Sequence, residues 1–166
     1  MPEYPPVNFR MQRPSRAKAH PGDIFTMQIP DGRYLFGRVV RTDADCFAPG
    51  CVLIYVFRYL SDSPTAPARL PVTDLLIPPQ TINRLGWSRG YLMTIGRRPF
   101  DDGERAPSHY FEDIRRSESG EPLLVDEDRR PVGHPPDGTM IGSSGLGNYR
   151  TLDDEVSRAL GIPLAE

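Results

Sequence analysis

The stretch that decides the fold is PGDIFTMQIPDGRYLFGRVVR, residues 21–41. From Asp23 to Ile29 the side chains alternate. Phe25, Met27 and Ile29 fall on one side, Thr26 and Gln28 on the other, which is the period-two signature of a half-buried strand. Pro30-Asp31-Gly32 then supplies a turn: Pro presets φ, the Asp side chain bonds nearby backbone, and Gly accepts a positive φ. Arg33 to Arg41 is the return strand of a hairpin, with Tyr34, Phe36, Arg38 and Val40 on one face and Leu35, Gly37 and Val39 on the other. A glycine in mid-strand, Gly37, marks a bulge or a close approach by a neighbour.

Beyond the hairpin, Cys51 to Leu60 is apolar on both faces apart from Arg58, as in a central strand covered on both sides. Val72 to Ile77 reads as a short strand or a turn of helix, stopped by Pro78-Pro79, and Tyr91 to Ile95, after Trp87, as another alternating strand. Residues 101–150 are loop-rich, with 122–126 and 130–132 able to pair as a hairpin across Asp126-Glu127-Asp128. Residues 151–160 predict a helix with Thr151 as N-cap and Asp154 completing a capping box; Leu152, Val156, Ala159 and Leu160 form its apolar stripe, and Gly161 and Pro163 stop it. Residues 1–21, with scattered Pro and Arg and no period, read as a flexible basic arm, mobile or extended. The expected architecture is mainly β (α+β): a twisted antiparallel sheet or small barrel-like core with a C-terminal helix packed on it, in one domain over residues 22–166.

Composition agrees. The chain has 166 residues, and its 15 Gly and 19 Pro exclude a coiled coil and argue against a bundle of long helices. No apolar run approaches the ~20 residues that span a bilayer, and Met1 to His20 lacks the apolar stretch of a secretory signal. Cys46 and Cys51 cannot build the disulfide framework of a secreted domain, so the expected location is the cytoplasm. The net charge of −2 conceals a split, +6 over residues 1–98 against −8 over residues 99–166. That split suits a basic face for nucleic acid or for an acidic protein, and it also suits two halves that attract each other in the fold.

Chemistry-bearing motifs are sparse. His20, His109 and His134 fall in no metal or catalytic spacing, and Cys46 with Cys51 is looser than a zinc-finger pair. Residues 142–147, GSSGLG, lack the Lys-Ser/Thr of a phosphate loop and read as a flexible loop; the acidic runs 101–104 and 126–128 lack the ligand alternation of a calcium loop and read as solvated turns. No catalytic residue, metal or cofactor is assigned. Arg33, Arg38, Arg41 and Arg58 beside Tyr34, Phe36, Tyr55, Phe57 and Tyr59 leave one alternative, a small β-barrel nucleic-acid-binding module; the competing reading turns those aromatics into the core.

The opening quoted above, a Gly-Asp-aliphatic-aromatic strand, a short Asp-Gly turn, an aromatic and then Gly-Arg-Val, resembles the immunity protein 26 family of bacterial polymorphic-toxin systems. Trp87 and the strand ending Thr94-Ile95-Gly96, with Pro99 after it, resemble that family's second block, so the resemblance covers residues 21–100. It implies a mostly β, non-enzymatic protein that binds and neutralises a cognate toxin domain, with no cofactor and no membrane. The motif residues carried over are Gly22, Asp23, Asp31, Gly32, Tyr34, Gly37, Arg38, Trp87 and Gly96, all expected to serve the fold rather than contact. Asp23 is expected to bond a nearby backbone amide or to pair with Arg38. The motif defines neither the toxin nor the interface residues.

Overall fold

The computed structural model describes residues 4–45 and 49–166. The quoted hairpin forms as β1 (Asp23–Gln28) and β2 (Tyr34–Arg41), antiparallel, with Phe25 opposite Gly37. β3 (Val52–Ser61) joins the other edge of β2, and β4 (Gln80–Ile82) follows it. A one-turn helix α1 (Leu85–Ser88) leads to β5 (Met93–Arg97), which returns to β1, giving the order β4-β3-β2-β1-β5. The sheet stays open and twisted, so of the two forms expected from the sequence the barrel does not occur. Between β3 and β4, Val72–Asp74 makes a single 3-10 turn, and Leu75 bridges to Phe57.

Both faces of the sheet are covered. One face carries Phe25, Met27, Leu35, Val39, Ile54 and Val56 under Trp87, Leu92, Leu152 and Val156; the other carries Ile24, Phe36, Val40, Leu53, Tyr55 and Phe57 under Leu70, Phe111 and Val125. β3 is thus covered on both sides from Val52 to Phe57, as its apolar run predicted, while Tyr59 joins Arg58 in standing exposed. β1 is corrected: it is buried on both faces, with Thr26 fully covered and its hydroxyl on Gln12 Oε1 at 2.9 Å.

The second cover is a small sheet that the sequence hid inside its loop-rich region. β6 (Phe111–Arg116) pairs antiparallel with β7 (Pro122–Val125) and parallel with β8 (Gly142–Ser143). The expected hairpin across residues 126–128 forms as a short one: Asp126 N donates to Arg130 O at 2.9 Å and Val132 N to Leu124 O at 3.0 Å around a bridge between Val125 and Pro131, whose proline has no N–H to extend the ladder. The run 142–147 is not loose either. Gly142 N donates to Tyr110 O at 3.0 Å and Gly147 N to Thr81 O at 2.8 Å, and a Cβ on Gly142 would stand 2.6 Å from Pro79 O. Gly142 and Gly147 permit this close packing, whereas Gly145 faces open space.

α2 (Tyr149–Leu160) starts earlier than the sequence suggested. Asn148, not Thr151, is the N-cap; it accepts from Arg150 N and Thr151 N, and Thr151 closes the box from the third position. Leu152 and Val156 enter the core, Gly161 caps the other end in the left-handed region, and Ala159 is exposed rather than part of the buried stripe.

Residues 4–21 of the expected arm are extended, and the arm is anchored on the fold at Phe9. Phe9 is buried beside Leu152 and Val156, its amide donating to Asp153 Oδ1 at 2.7 Å while Asn8 N donates to Oδ2 at 3.0 Å. Arg10 bridges to Gln28 where β5 no longer covers the β1 edge. An uncovered strand edge and an apolar groove together outweigh the proline signal.

Candidate functional site

The motif residues separate into three places. At the hairpin tip, Asp31 Oδ1 accepts from Arg33 N at 2.9 Å and Oδ2 from Arg33 Nε at 2.8 Å, Gly32 takes φ +92°, and Tyr34 opens β2 half-buried. In the middle of the sheet, Gly37 lacks a side chain because the ring of Phe25 occupies that space; an added Cβ would lie 2.6 Å from Phe25 Cε2 and 2.7 Å from Tyr55 O. Phe25 in turn meets Trp87 edge-on at 5.2 Å, and the indole N–H donates to Thr94 Oγ1 at 3.1 Å. Gly96 faces open space within β5, and nothing in the structure explains it.

The third place is the far end of the hairpin, where Gly22, Asp23 and Arg38 meet. Asp23 bonds a backbone amide as expected, His20 N at 2.8 Å, but its charged partner is Arg97, whose Nε lies 2.7 Å away. Arg38 instead faces Glu104 at 3.3 Å, and both side chains are 0% exposed. Arg38 also donates to Arg98 O at 2.5 Å and lies 4.0 Å under the Phe100 ring, while Glu104 accepts from Leu70 N at 2.7 Å and Asp101 N at 3.0 Å. Burial pushes the Glu104 carboxyl up, but the two amide donors and the Arg38 and Arg98 guanidiniums more than reverse it and hold the group below its ordinary value. The acidic run 101–104 is thus corrected: its last member is a buried counter-ion. No local sequence signal marks it, since its partner lies 66 residues away.

A second polar node also escaped the sequence reading. His109, almost fully buried, stands between Tyr55 Oη at 2.6 Å and Glu127 Oε1 at 3.2 Å, and Ala106 N donates to Tyr55 Oη at 3.1 Å. One assignment satisfies all three contacts: Nδ1–H donates to the carboxylate and the tyrosine O–H donates to Nε2. Arg41 closes the chain on Glu127 at 3.3 Å and on Asp128 at 2.9 Å, so residues 126–128 are not a solvated turn. Burial raises the Glu127 carboxyl, yet the His109 hydrogen bond, its own backbone amide and Arg41 bring it down to about 2. The node borders a cavity of about 380 Å³ walled by Val72, Leu75, Pro79, Pro107 and Met140. Thr73, Ser108, Tyr110 and Thr139 also line it, and both ring nitrogens of His109 point at protein partners.

The Arg/Tyr strands do not form a stacking platform for nucleic acid. Phe36, Tyr55 and Phe57 are buried, Arg38 is internal, and Arg33 and Arg41 are paired with acidic side chains. Arg33, Arg58 and Tyr59 are the exposed members of that group, and Arg33 is tied to Asp31 at the hairpin tip. Among the described residues, no group of three His, Cys, Asp or Glu is placed to hold a metal ion, and no helix is long and apolar enough to cross a membrane. Cys51 is buried where β3 begins; Cys46 lies outside the described residues. His134 is exposed on a loop.

No curated protein sequence and no solved structure matches the chain. A family model does: immunity protein 26 matches residues 20–119, from the end of the arm through β6. With that match extending over more than half of the sequence, and with the motif residues assembled around one open sheet, the chain belongs to the immunity protein 26 family.

Proposed function

We propose that this chain neutralises a cognate bacterial toxin domain by stoichiometric binding in the cytoplasm, covering the toxin's active site or holding it in an inactive conformation, with no chemistry of its own. Family membership supports a toxin as the partner. The observation that carries the non-catalytic part is the engagement of the polar side chains. Arg38 is bound to Glu104, Asp23 to Arg97, and His109 to Tyr55 and Glu127, so the groups most able to do acid–base work already serve as internal ties. The motif residues then act as scaffold, and binding falls to surface side chains outside the motif.

The test is a titration. A purified cognate toxin domain is assayed for its activity while the chain is added in measured ratio. A linear loss ending at one chain per toxin is expected. Inactivation of many toxin molecules by each chain would overturn the stoichiometric reading, and no inhibition at excess would overturn neutralisation itself.

A further inference from the structure

Positions 4–22 and 75–100 contain no Asp or Glu. The fold lays these two acid-free segments side by side: Gln12 N donates to Gly90 O at 2.8 Å, Ser15 N to Trp87 O at 2.9 Å, and Arg84 to Ala17 O at 2.5 Å. Of the cations brought together, Arg97 is neutralised by Asp23 and Arg98 reaches Glu104. Arg13, Arg16, Lys18, Arg84 and Arg89 have no carboxylate partner among the described residues; the first three are exposed and the last two half-buried. The charge split seen in the sequence is therefore not cancelled inside the fold at this face.

The face also has fixed and apolar parts. Arg84 and Arg89 flank the single turn of α1, and Arg16 and Arg84 border a shallow hollow that includes exposed Leu85. The Arg89 guanidinium lies 3.7 Å from the Tyr4 ring centre and 5.2 Å from that of Tyr149, and it donates to Tyr149 Oη at 2.5 Å. A guanidinium held on aromatic faces is already ordered before a partner arrives, which lowers the entropy cost of using it. Arg, Tyr and an exposed Leu inside a cationic rim are the makeup of a binding anchor.

We propose that this face, built by the arm and the α1 turn, is where an acidic surface of a protein partner docks. The assignment rests on the toxin-binding reading and names the chemistry of the toxin surface it would meet. A folded acidic patch is favoured over a nucleic acid strand because the chain as a whole carries −2 and has a pI near 5.9. An extended polyanion running past the patch meets negative charge, whereas a patch of matching extent does not.

The test compares Arg13→Glu/Arg16→Glu/Lys18→Glu with Arg58→Glu/Arg116→Glu/Arg130→Glu, which makes the same change in net charge at exposed positions on other elements. A neutral triple, Arg13→Gln/Arg16→Gln/Lys18→Gln, guards against misfolding of the reversed one, and melting curves check all three. The probes are a fluorescein-labelled poly-L-glutamate no longer than the patch, so that it stands for an acidic surface of matching extent, and a single-stranded RNA of equal charge, read by anisotropy at low and near-physiological salt. The unaltered chain and the control triple are expected to bind polyglutamate at low salt. The reversed triple should bind it at least about tenfold more weakly, with the neutral triple between. Equal losses in the reversed and control triples, or no polyglutamate binding by the unaltered chain, would overturn the face. RNA bound more tightly than polyglutamate through the same three cations would reassign it to nucleic acid. A chain that still titrates its toxin one to one while ignoring polyglutamate removes the face and leaves the toxin-binding reading standing.

Discussion

Replacing Glu104 by alanine removes the carboxylate that faces the buried Arg38 guanidinium. Neither side chain reaches solvent, and Glu104 also satisfies the amides of Leu70 and Asp101. Breaking a buried ion pair from one side costs about 3–5 kcal/mol, mostly as an uncompensated charge. Each orphaned amide adds about 1 kcal/mol. The carbonyls of Arg98 and Gly22 still receive Arg38, and relaxation of the 101–104 turn admits water, so a net loss of about 4 kcal/mol is expected. For a chain of this length that is a fall in Tm of roughly 8–16 °C. Urea unfolding of Glu104→Ala, Arg38→Met and the double variant gives the coupling directly. The double variant should lose about 2–3 kcal/mol less than the two single losses added together, because no charge is left buried alone. Glu104→Gln adds a pH readout. The folded carboxyl lies below its ordinary 4.5, so its contribution is present above that value and disappears as pH falls through the folded one; Gln removes that acid-dependent part. A loss under about 1 kcal/mol for Glu104→Ala, or a double variant equal to the sum, would refute the reasoning.

The other expectations are shorter. Glu127, held at about 2 against an ordinary 4.5, contributes on the order of 3 kcal/mol that is present above pH 4.5 and lost as pH falls toward 2, so Glu127→Gln should flatten melting temperature against pH across that window. Gly37→Ala puts a Cβ 2.6 Å from Phe25 Cε2 and should destabilise by about 1–3 kcal/mol in urea, with no matching loss for Gly96→Ala, which faces open space. Asp153→Ala releases the amides of Asn8 and Phe9, so trypsin should cut the arm after Arg16 and Lys18 about tenfold faster or more, before any cut within β1–β3. Asp23→Ala should lower stability by about 1–3 kcal/mol, read by thermal melting, and leave toxin titration at the same end point; unchanged melting with lost binding would contradict a scaffold role.

What the sequence made legible was local. β1 and β2 follow from a period of two broken by Pro30-Asp31-Gly32, and the two covered faces of β3 follow from a run with no polar side. α2 followed from Leu152 and Val156, while its start was misplaced because Asn148 competes with Thr151 and only the backbone decides which caps. β6 was hidden because Glu112, Ile114 and Arg116 face outward, and its parallel partner is the Gly142–Ser143 pair, too short to show a pattern. Glu104 and His109 were hidden for a different reason. Their burial depends on Arg38, Tyr55 and Glu127, at separations of 66, 54 and 18 residues, and composition near each of them signals only a turn. Polar residues enter a core when a distant partner meets them there, so their own neighbourhood carries no mark of it.

The family match and the fold do not end at the same residues, and the difference has a physical consequence. The matched residues 20–119 include all five strands of the main sheet, but the Phe25 face of that sheet is sealed partly by Phe9, Leu152 and Val156, all outside the match. Phe9 is held there by Asp153 of α2, so the arm and the C-terminal helix close the core by binding each other as well as the sheet. The arm carries the exposed Arg13, Arg16 and Lys18 on the same short segment. A segment anchored at Phe9 and stitched to Trp87 and Gly90 holds those cations in place without committing the sheet to them. Its outward residues are then able to vary with the partner while its inward ones keep the core shut. On the docking proposed above, the matched sheet would serve as scaffold and partner choice would belong to the chain laid over it. Deleting the arm would open the core and remove the docking charges together, whereas reversing the charges alone separates the two roles.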